Sequence, residues 1–314
     1  MNNGQWQISE TDAGMRLDRW LSSMRRMGSN LRALDTLNRG KVYINRVEQT
    51  AQEAERLLQT GDVVRLWIDP PKFERPDFAP STFDSLNIVH EDRYILAADK
   101  PAGQLTTPHP YYLDEESLFD MIEEYLESKR RRTFIVHRID RDTTGLVLFA
   151  KTLEAQQKLQ EQFARREPER IYRAITHGIP RLESGQWHNR IVWNRKKRRF
   201  VPACEDDEFA LDALCHYRVL ERFDRAALIE VALVTGKRNQ IRLQAQLHGH
   251  PLVGEHVFTE ATLRISDIHF SRQALHAYRL NLRHPIRGHK LHLEASLPSD
   301  FVELHERLRI SGLP

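Results

Sequence analysis

The sequence predicts an α+β fold in two parts, and three observations predict it. Short apolar runs bounded by Gly, Asp and Asn turns read as strands. Stretches with apolar residues at i, i+3, i+4 and i+7 read as helices. A proline-rich passage from Asp69 to Asp84, without apolar periodicity, separates a first group of these elements from a second. A chain of 314 residues has room for about two domains. The expected organisation is a small α+β module over residues 1–68, an extended linker over 69–84 and a larger domain over 85–314.

Taken in order, the first module opens with a polar lead. Leu17, Trp20, Leu21 and Met24 then form a helical stripe. Ser29-Asn30 offers a cap for a second helix carrying Leu31, Leu34 and Leu37, which Gly40 stops. Lys41 to Asn45 and Gly61 to Trp67 alternate as strands. Between Arg16 and Arg46 stand eight Lys/Arg, among them Arg16, Arg19, Arg39 and Lys41, against two Asp. Such a face is either a solvated basic surface or a set of contacts to the phosphate backbone of RNA, which position without specifying sequence.

In the larger domain, Leu86 to Asp99 gives two strand-like runs about a Glu-Asp-Arg turn, followed by Lys100-Pro101-Ala102-Gly103. Ser117 to Arg130 reads as a helix capped by Ser117. Phe134 to Val136 and Leu146 to Ala150 are strand-like and flank a polar loop. Leu153 to Arg166 is a second amphipathic helix, and Arg170 to Gly178 a further strand. Arg195 to Arg199, with Lys196 and Lys197, forms a hairpin tip; strands follow at Leu214–Leu220 and Ala227–Val234. Thr235-Gly236 then opens a helix that runs to Leu247.

Composition narrows the function classes. Forty per cent hydrophobic residues can build a core, but a net charge of +3 argues only weakly for nucleic acid. Cys204 and Cys215 form no disulfide framework or metal spacing, which fits a reducing cytoplasm. The first residues have neither the basic nor the apolar region of a secretion signal, and no run is long enough to span a membrane. Fifteen histidines include no set with a third ligand at metal spacing, so no metal is expected. The chain is expected to act as a monomer.

The polar loop carries the chemistry. Asp140 and Asp142 stand among His137, Arg138 and Arg141. Nearby cations favour the charged form of a carboxylate, so this one can serve as a nucleophile or electrostatic group on a rigid support. A solvated, salt-bridged turn is the competing interpretation. A calcium loop starting at Asp140 fails because Lys151 stands where the closing glutamate belongs. An aspartyl-phosphate enzyme using magnesium has the right spacing in Asp140-Arg141-Asp142, but His137 and Arg138 interrupt the apolar run that should precede the aspartate, which leaves it the weaker alternative.

His137-Arg138-Ile139-Asp140 with Thr143-Thr144-Gly145-Leu146 resembles the signature H-R-L-D-x-x-[ST]-[ST]-G-hydrophobic of the RluA-type pseudouridine synthases. Lys100-Pro101-Ala102-Gly103 resembles that family's opening block, and Arg170-Ile171-Tyr172-Arg173-Ala174 its K-x-Y-x-A strand. Thr235 to Arg242 resembles T-G-R-x-H-Q-I-R, Gly249 to Glu255 its G-H-P-L-V-G-[DE], and 274–277 and 291–295 its closing strands. Lys237 stands for Arg and Asn239 for His, and no role is carried to either. In the first module Arg16-Leu17-Asp18, Gly40 to Asn45 and Gly61 to Val64 resemble the S-four-type RNA-binding fold.

The resemblance implies a catalytic domain built on a mixed, largely antiparallel sheet with flanking helices. It implies isomerisation of uridine to pseudouridine in ribosomal or transfer RNA, by base flipping and without a cofactor. Asp140 would be the catalytic group, acting on the ribose or first through the base. Tyr172 would face the base, and Arg242 would pair with Asp140 at about 3 Å. Arg138 joins Arg16, Arg19, Arg39, Lys41, Lys196 and Lys197 as an expected RNA contact. The rival from another class is a non-catalytic RNA-binding or ribosome-assembly protein, which would need none of Asp140, Tyr172 and Arg242.

Overall fold

The computed structural model describes residues 4–23, 29–38, 42–45, 47–50, 53–66, 86–108, 115–127, 129, 132–258 and 268–311. The chain divides into two compact units, residues 1–77 with 108–115 and residues 78–107 with 116–314. The expected linker at 69–84 lies outside the described residues.

The first unit is a four-stranded antiparallel sheet with two helices. Its elements are β1 (Gly4–Gln7), α1 (Leu17–Ser22), α2 (Asn30–Asn38), β2 (Val42–Ile44), β3 (Val47–Gln49) and β4 (Val63–Leu66), and the strand order is β1-β4-β2-β3. Leu17, Trp20, Leu21 and Leu37 from the helices close on Val42, Ile44, Val64 and Leu66 from the sheet. The Trp20 indole N–H is satisfied by Asp12 at 3.0 Å, as a buried indole requires. Asn45 sits at φ 51, where asparagine is tolerated, and ties two strands together. Its amide nitrogen donates to Asp62 at 2.7 Å and its oxygen accepts from Val63 N at 2.9 Å. The polar lead contains β1, which pairs antiparallel with β4; its only apolar side chain is Trp6, and so it gives little alternation to read.

The second unit holds an eleven-stranded sheet. Its strands are β5 (Ile88–Glu91), β6 (Ile95–Lys100), β7 (Phe134–Ile135), β8 (Thr144–Ala150), β9 (Glu169–His177), β10 (Ser184–Asn194), β11 (Arg199–Pro202), β12 (Leu211–Arg222), β13 (Ala226–Leu233), β14 (Leu275–Arg283) and β15 (Lys290–Glu294). The order is β11-β10-β12-β13-β9-β14-β8-β6-β5, with β15 beside β14 and β7 beside β8. Pairing is antiparallel except between β14 and β8, so the sheet is mixed and largely antiparallel.

That parallel junction positions the site. β8 is buried along its whole length, with Leu146 and Leu148 in one core and Val147 and Phe149 in another. At its start Gly145 adopts φ 105, and a Cβ there would meet the Ala277 carbonyl oxygen at 2.3 Å. Only glycine lets the two strands approach so closely. The helices are α3 (Leu118–Glu127), α4 (Leu153–Ala164), α5 (Gln240–Leu247) and α6 (Ser299–Ser311). Ser117 caps α3 in a reciprocal exchange with Asp120, and Thr152 caps α4 by accepting from Ala155 N at 3.2 Å. α6 lays Phe301, Leu304 and Leu308 against Ile175 and Val253. Among the described residues no helix is long and apolar enough to cross a membrane.

Candidate active site

Asp140 lies on the loop between β7 and β8, and the loop is gripped from behind by two buried cations. Lys100 Nζ donates to the carbonyls of Arg141 at 2.6 Å, Pro101 at 2.7 Å and Gln104 at 2.9 Å. Burial pulls its pKa down to about 7. Arg272 forks onto Asp300 at 2.7 and 2.9 Å and reaches the Asp142 carbonyl at 3.2 Å. Thr106 adds a clasp on Ile139, and Gln273 one on Thr143. Successive loop carbonyls are thus held by cations whose charges are out of the solvent, which fixes where Asp140 points.

His137 is not one of the cations around Asp140. Its ring stacks on Phe163 with centroids 4.9 Å apart, and its Nε2 accepts from Leu148 N at 3.0 Å. Burial, reinforced by the Arg170 guanidinium, pushes the imidazole down to about 3, so it is neutral and pins the loop to β8.

Arg242 comes from the first turn of α5. Its Nη1 lies 3.4 Å from Asp140 Oδ2, while Nε and Nη2 fork onto Glu255 at 2.6 and 2.8 Å. The Glu255 side chain is fully enclosed and also accepts from Val257 N at 2.7 Å. Burial opposes its charge, but the Arg242 guanidinium and these N–H groups hold its carboxyl below the ordinary value. Gly254 precedes it because a Cβ there would stand 1.9 Å from the Arg272 carbonyl oxygen. The sequence carries both residues in its Gly249–Glu255 block without showing that Glu255 orients Arg242.

Asn239 approaches Asp140 from the same turn. It holds a left-handed conformation (φ 56) at the N-cap of α5 and makes no capping bond. With its amide nitrogen turned to the carboxylate, that nitrogen lies 2.9 Å from Oδ1 and 3.3 Å from Oδ2. α5 itself is bolted to the sheet by buried amides. Gln240 bonds the Leu214 carbonyl and Gln244, and Gln244 donates to the carbonyls of Trp187 and Ala213.

Tyr172 projects from β9, between Val231 of β13 and Ala277 of β14. Burial pushes its hydroxyl up; Arg170 opposes the rise and Asp140 adds to it. Arg170 anchors the turn before α5 through the carbonyls of Leu233 and Val234 at 3.2 and 3.0 Å. Its Nη1 would be 2.5 Å from a Cβ on Gly236, which accounts for the glycine of Thr235-Gly236.

These groups share one open cavity of about 620 Å³, lined by Arg138, Asp140, Tyr172, Asn239 and Arg242, with Arg166, Lys237 and Arg238 among its cations. Arg138 is exposed, and Lys196 and Lys197 are exposed at the turn between β10 and β11. In the first unit Arg19 is exposed, whereas Arg16 forks onto Asp18 at 3.1 and 2.7 Å and pairs with Glu55 at 3.0 Å. Arg39 and Lys41 lie outside the described residues.

Comparisons with known proteins identify the family. The family model described as RNA pseudouridylate synthase matches residues 94–247, from β6 to the end of α5. The RNA pseudouridine synthase YlyB of Bacillus subtilis is 32% identical over 316 residues, covering 99% of this chain and 100% of the relative. The ribosomal large subunit pseudouridine synthase D of Pseudomonas aeruginosa is 39% identical over 234 residues, covering 71% of this chain and 72% of its own length. Among solved structures, human RNA pseudouridylate synthase domain containing 4 shares the fold with a TM-score of 0.59 at 24% identity, over 71% of this chain and 93% of that one. The chain therefore belongs to the RNA pseudouridine synthase family, and it is an isomerase that converts uridine to pseudouridine in RNA.

Proposed function

We propose that the substrate is ribosomal RNA of the large subunit, that Asp140 is the nucleophile, and that Tyr172 and Arg242 complete the catalytic set. The observation that carries the catalytic reading is the Asp140 carboxylate, one quarter exposed in the cavity wall and bonded to a buried guanidinium. The ribosomal substrate rests on relatives such as the Pseudomonas aeruginosa enzyme, named for the large subunit.

The reaction breaks the N1–C1′ bond of uridine and makes a C5–C1′ bond. C5 loses a proton and N1 gains one, so the atoms balance without oxidant, reductant or cofactor. The target base is stacked in RNA and must be extruded into the cavity. Once there it packs against Tyr172, a rigid aromatic face on a central strand. Asp140 then meets the electron-poor C1′ as the base departs. Arg242, fixed by Glu255, and the Asn239 amide keep the carboxylate aimed. Arg138 and the cations at the mouth receive the phosphates of the extruded nucleotide.

The first unit serves as an S-four-type RNA-binding domain in this reading. It supplies affinity through Arg19, Arg39, Lys41 and their neighbours, with Arg16 positioned by its acidic partners. Two free cysteines and an RNA substrate support a cytoplasmic location. The test uses unmodified transcripts of large-subunit ribosomal RNA and of transfer RNAs, with pseudouridines mapped after incubation. Pseudouridine in the ribosomal transcript supports the assignment; modification confined to transfer RNA overturns it.

A further inference from the structure

Trp193 is a large aromatic residue left 40% exposed on a strand face that is elsewhere covered. Trp187 and Ile191 occupy the same face of β10 and are buried, Trp187 in a core with Ile241 and Ala245 of α5 and Ile191 in one with Leu243. Strand side chains alternate, so Trp193 continues that face toward the start of α5. There it meets Arg238, whose guanidinium carbon lies 5.7 Å from the Trp193 ring centroid. Arg238 also lines the cavity that holds Asp140.

The ring is held firmly. Its cross-strand partner Phe200 meets it edge to face, centroids 5.3 Å apart at 76°. Phe200 packs on the core containing Phe258, and Arg199 stacks over Phe258 at 5.2 Å and donates to the Val257 carbonyl. Arg242 lies over the other end of this relay, 5.6 Å from Phe258. Beyond Trp193 the strand turns through Arg195, Lys196, Lys197 and Arg198. A rigid aromatic face beside a guanidinium plane and next to a cationic turn suits a base on a polyanionic strand.

We propose that Trp193 and Arg238 form a stacking platform, at the rim of the catalytic cavity, for an unpaired base adjacent to the target uridine. The platform deepens the RNA reading and rests on it. It selects sites where the target lies in a single-stranded loop, because a paired neighbour cannot leave its own stack to lie on Trp193.

The test compares the full-length protein with Trp193→Ala and Trp193→Phe. In one arm kcat/KM is measured on the unmodified large-subunit transcript. Loss of one base stack is worth roughly 5- to 150-fold by alanine substitution, and Phe is expected to recover most of it. A general loss of structure at this surface would not be rescued in that way. In the second arm a twelve-nucleotide oligouridylate is titrated against tryptophan fluorescence. The wild type is expected to show quenching that Trp193→Phe largely removes, and a twelve-base-pair RNA duplex to leave that emission unchanged. Equal kcat/KM for wild type and Trp193→Ala overturns the platform, as does equal quenching for wild type and Trp193→Phe. If the wild type modifies no position in the transcript, the ribosomal assignment fails and the oligouridylate titration alone decides the platform.

Discussion

Arg242 reaches Asp140 at 3.4 Å across 102 positions of sequence, yet its shorter and doubled bonds go to Glu255. Two of the three guanidinium nitrogens thus serve the enclosed Glu255 carboxylate. The third is left facing Asp140, the proposed nucleophile. This division makes Glu255 the residue that sets where Arg242 meets Asp140.

Glu255→Gln should therefore lower kcat by roughly 100-fold while leaving RNA affinity intact, because a shift of about 1 Å in a positioned group has that consequence. It should also cost about 3–5 kcal/mol of stability, the usual result of leaving a buried charge without its partner. Arg242→Lys should be impaired too, since an ammonium cannot form both arms of the fork. Urea titration and single-turnover rates measure both effects, and a Gln variant with wild-type kcat would remove Glu255 from the account.

Asn239→Gly separates backbone from amide. Glycine keeps the left-handed conformation at no steric cost but removes the contact to Asp140. Losing one hydrogen bond to a charged group, worth about 1.5–3 kcal/mol, should reduce kcat roughly 10- to 100-fold with KM unchanged. Asn239→Ala should match this kinetic defect and also melt earlier, because alanine is strained at φ 56. A Gly variant with unaltered kcat would make the amide a bystander.

Removing residues 1–68 should weaken RNA binding and flatten its dependence on salt, since phosphate contacts set that slope. Filter binding at several salt concentrations measures it. An unchanged slope would mean that the basic face of the first unit is merely solvated.

Much of this was legible because the fold places chemistry in short local blocks. The 134–151 segment reads as strand, loop, strand, and it folds as β7, loop and β8. The pairing of Arg242 with Asp140 was legible only through the family resemblance, since no periodicity links a loop to a helix so far along the chain. What escaped were residues whose partners lie in distant segments. Glu255 looks like the end of an apolar turn until Arg242 is folded over it. Lys100 looks like a surface lysine until the Asp140 loop closes on it, and His137 looks cationic until Phe163 and the Leu148 N–H define its neutral form. Gly145, Gly236 and Gly254 are simple turn signals in sequence, but in the fold they are close approaches to Ala277, Arg170 and Arg272.

Glu91 supplies a pH prediction away from the site. Burial disfavours its charge, but Lys151 at 2.5 Å, with Tyr125 and Lys129, holds its carboxyl down from 4.5 to about 2. A depressed carboxylate stabilises the fold fully above its unfolded value and loses that contribution as pH falls through the folded one. Glu91→Gln should therefore cost on the order of 1 kcal/mol at neutral pH once solvent screening of the pair is allowed for, and the difference from wild type should close as pH approaches 2. Thermal melts across pH 2–7 test the sign; a gap that widens toward acid contradicts it.

The central claim is that the Asp140 carboxylate performs the isomerisation, and Asp140→Asn tests it most directly. The substitution keeps the side-chain shape and removes the charge, so the loop held by Lys100 and Arg272 should stay in place. With unmodified RNA in single turnover, the account predicts retained RNA binding and no detectable pseudouridine. Pseudouridine formed by the Asn variant at near the wild-type rate would contradict it.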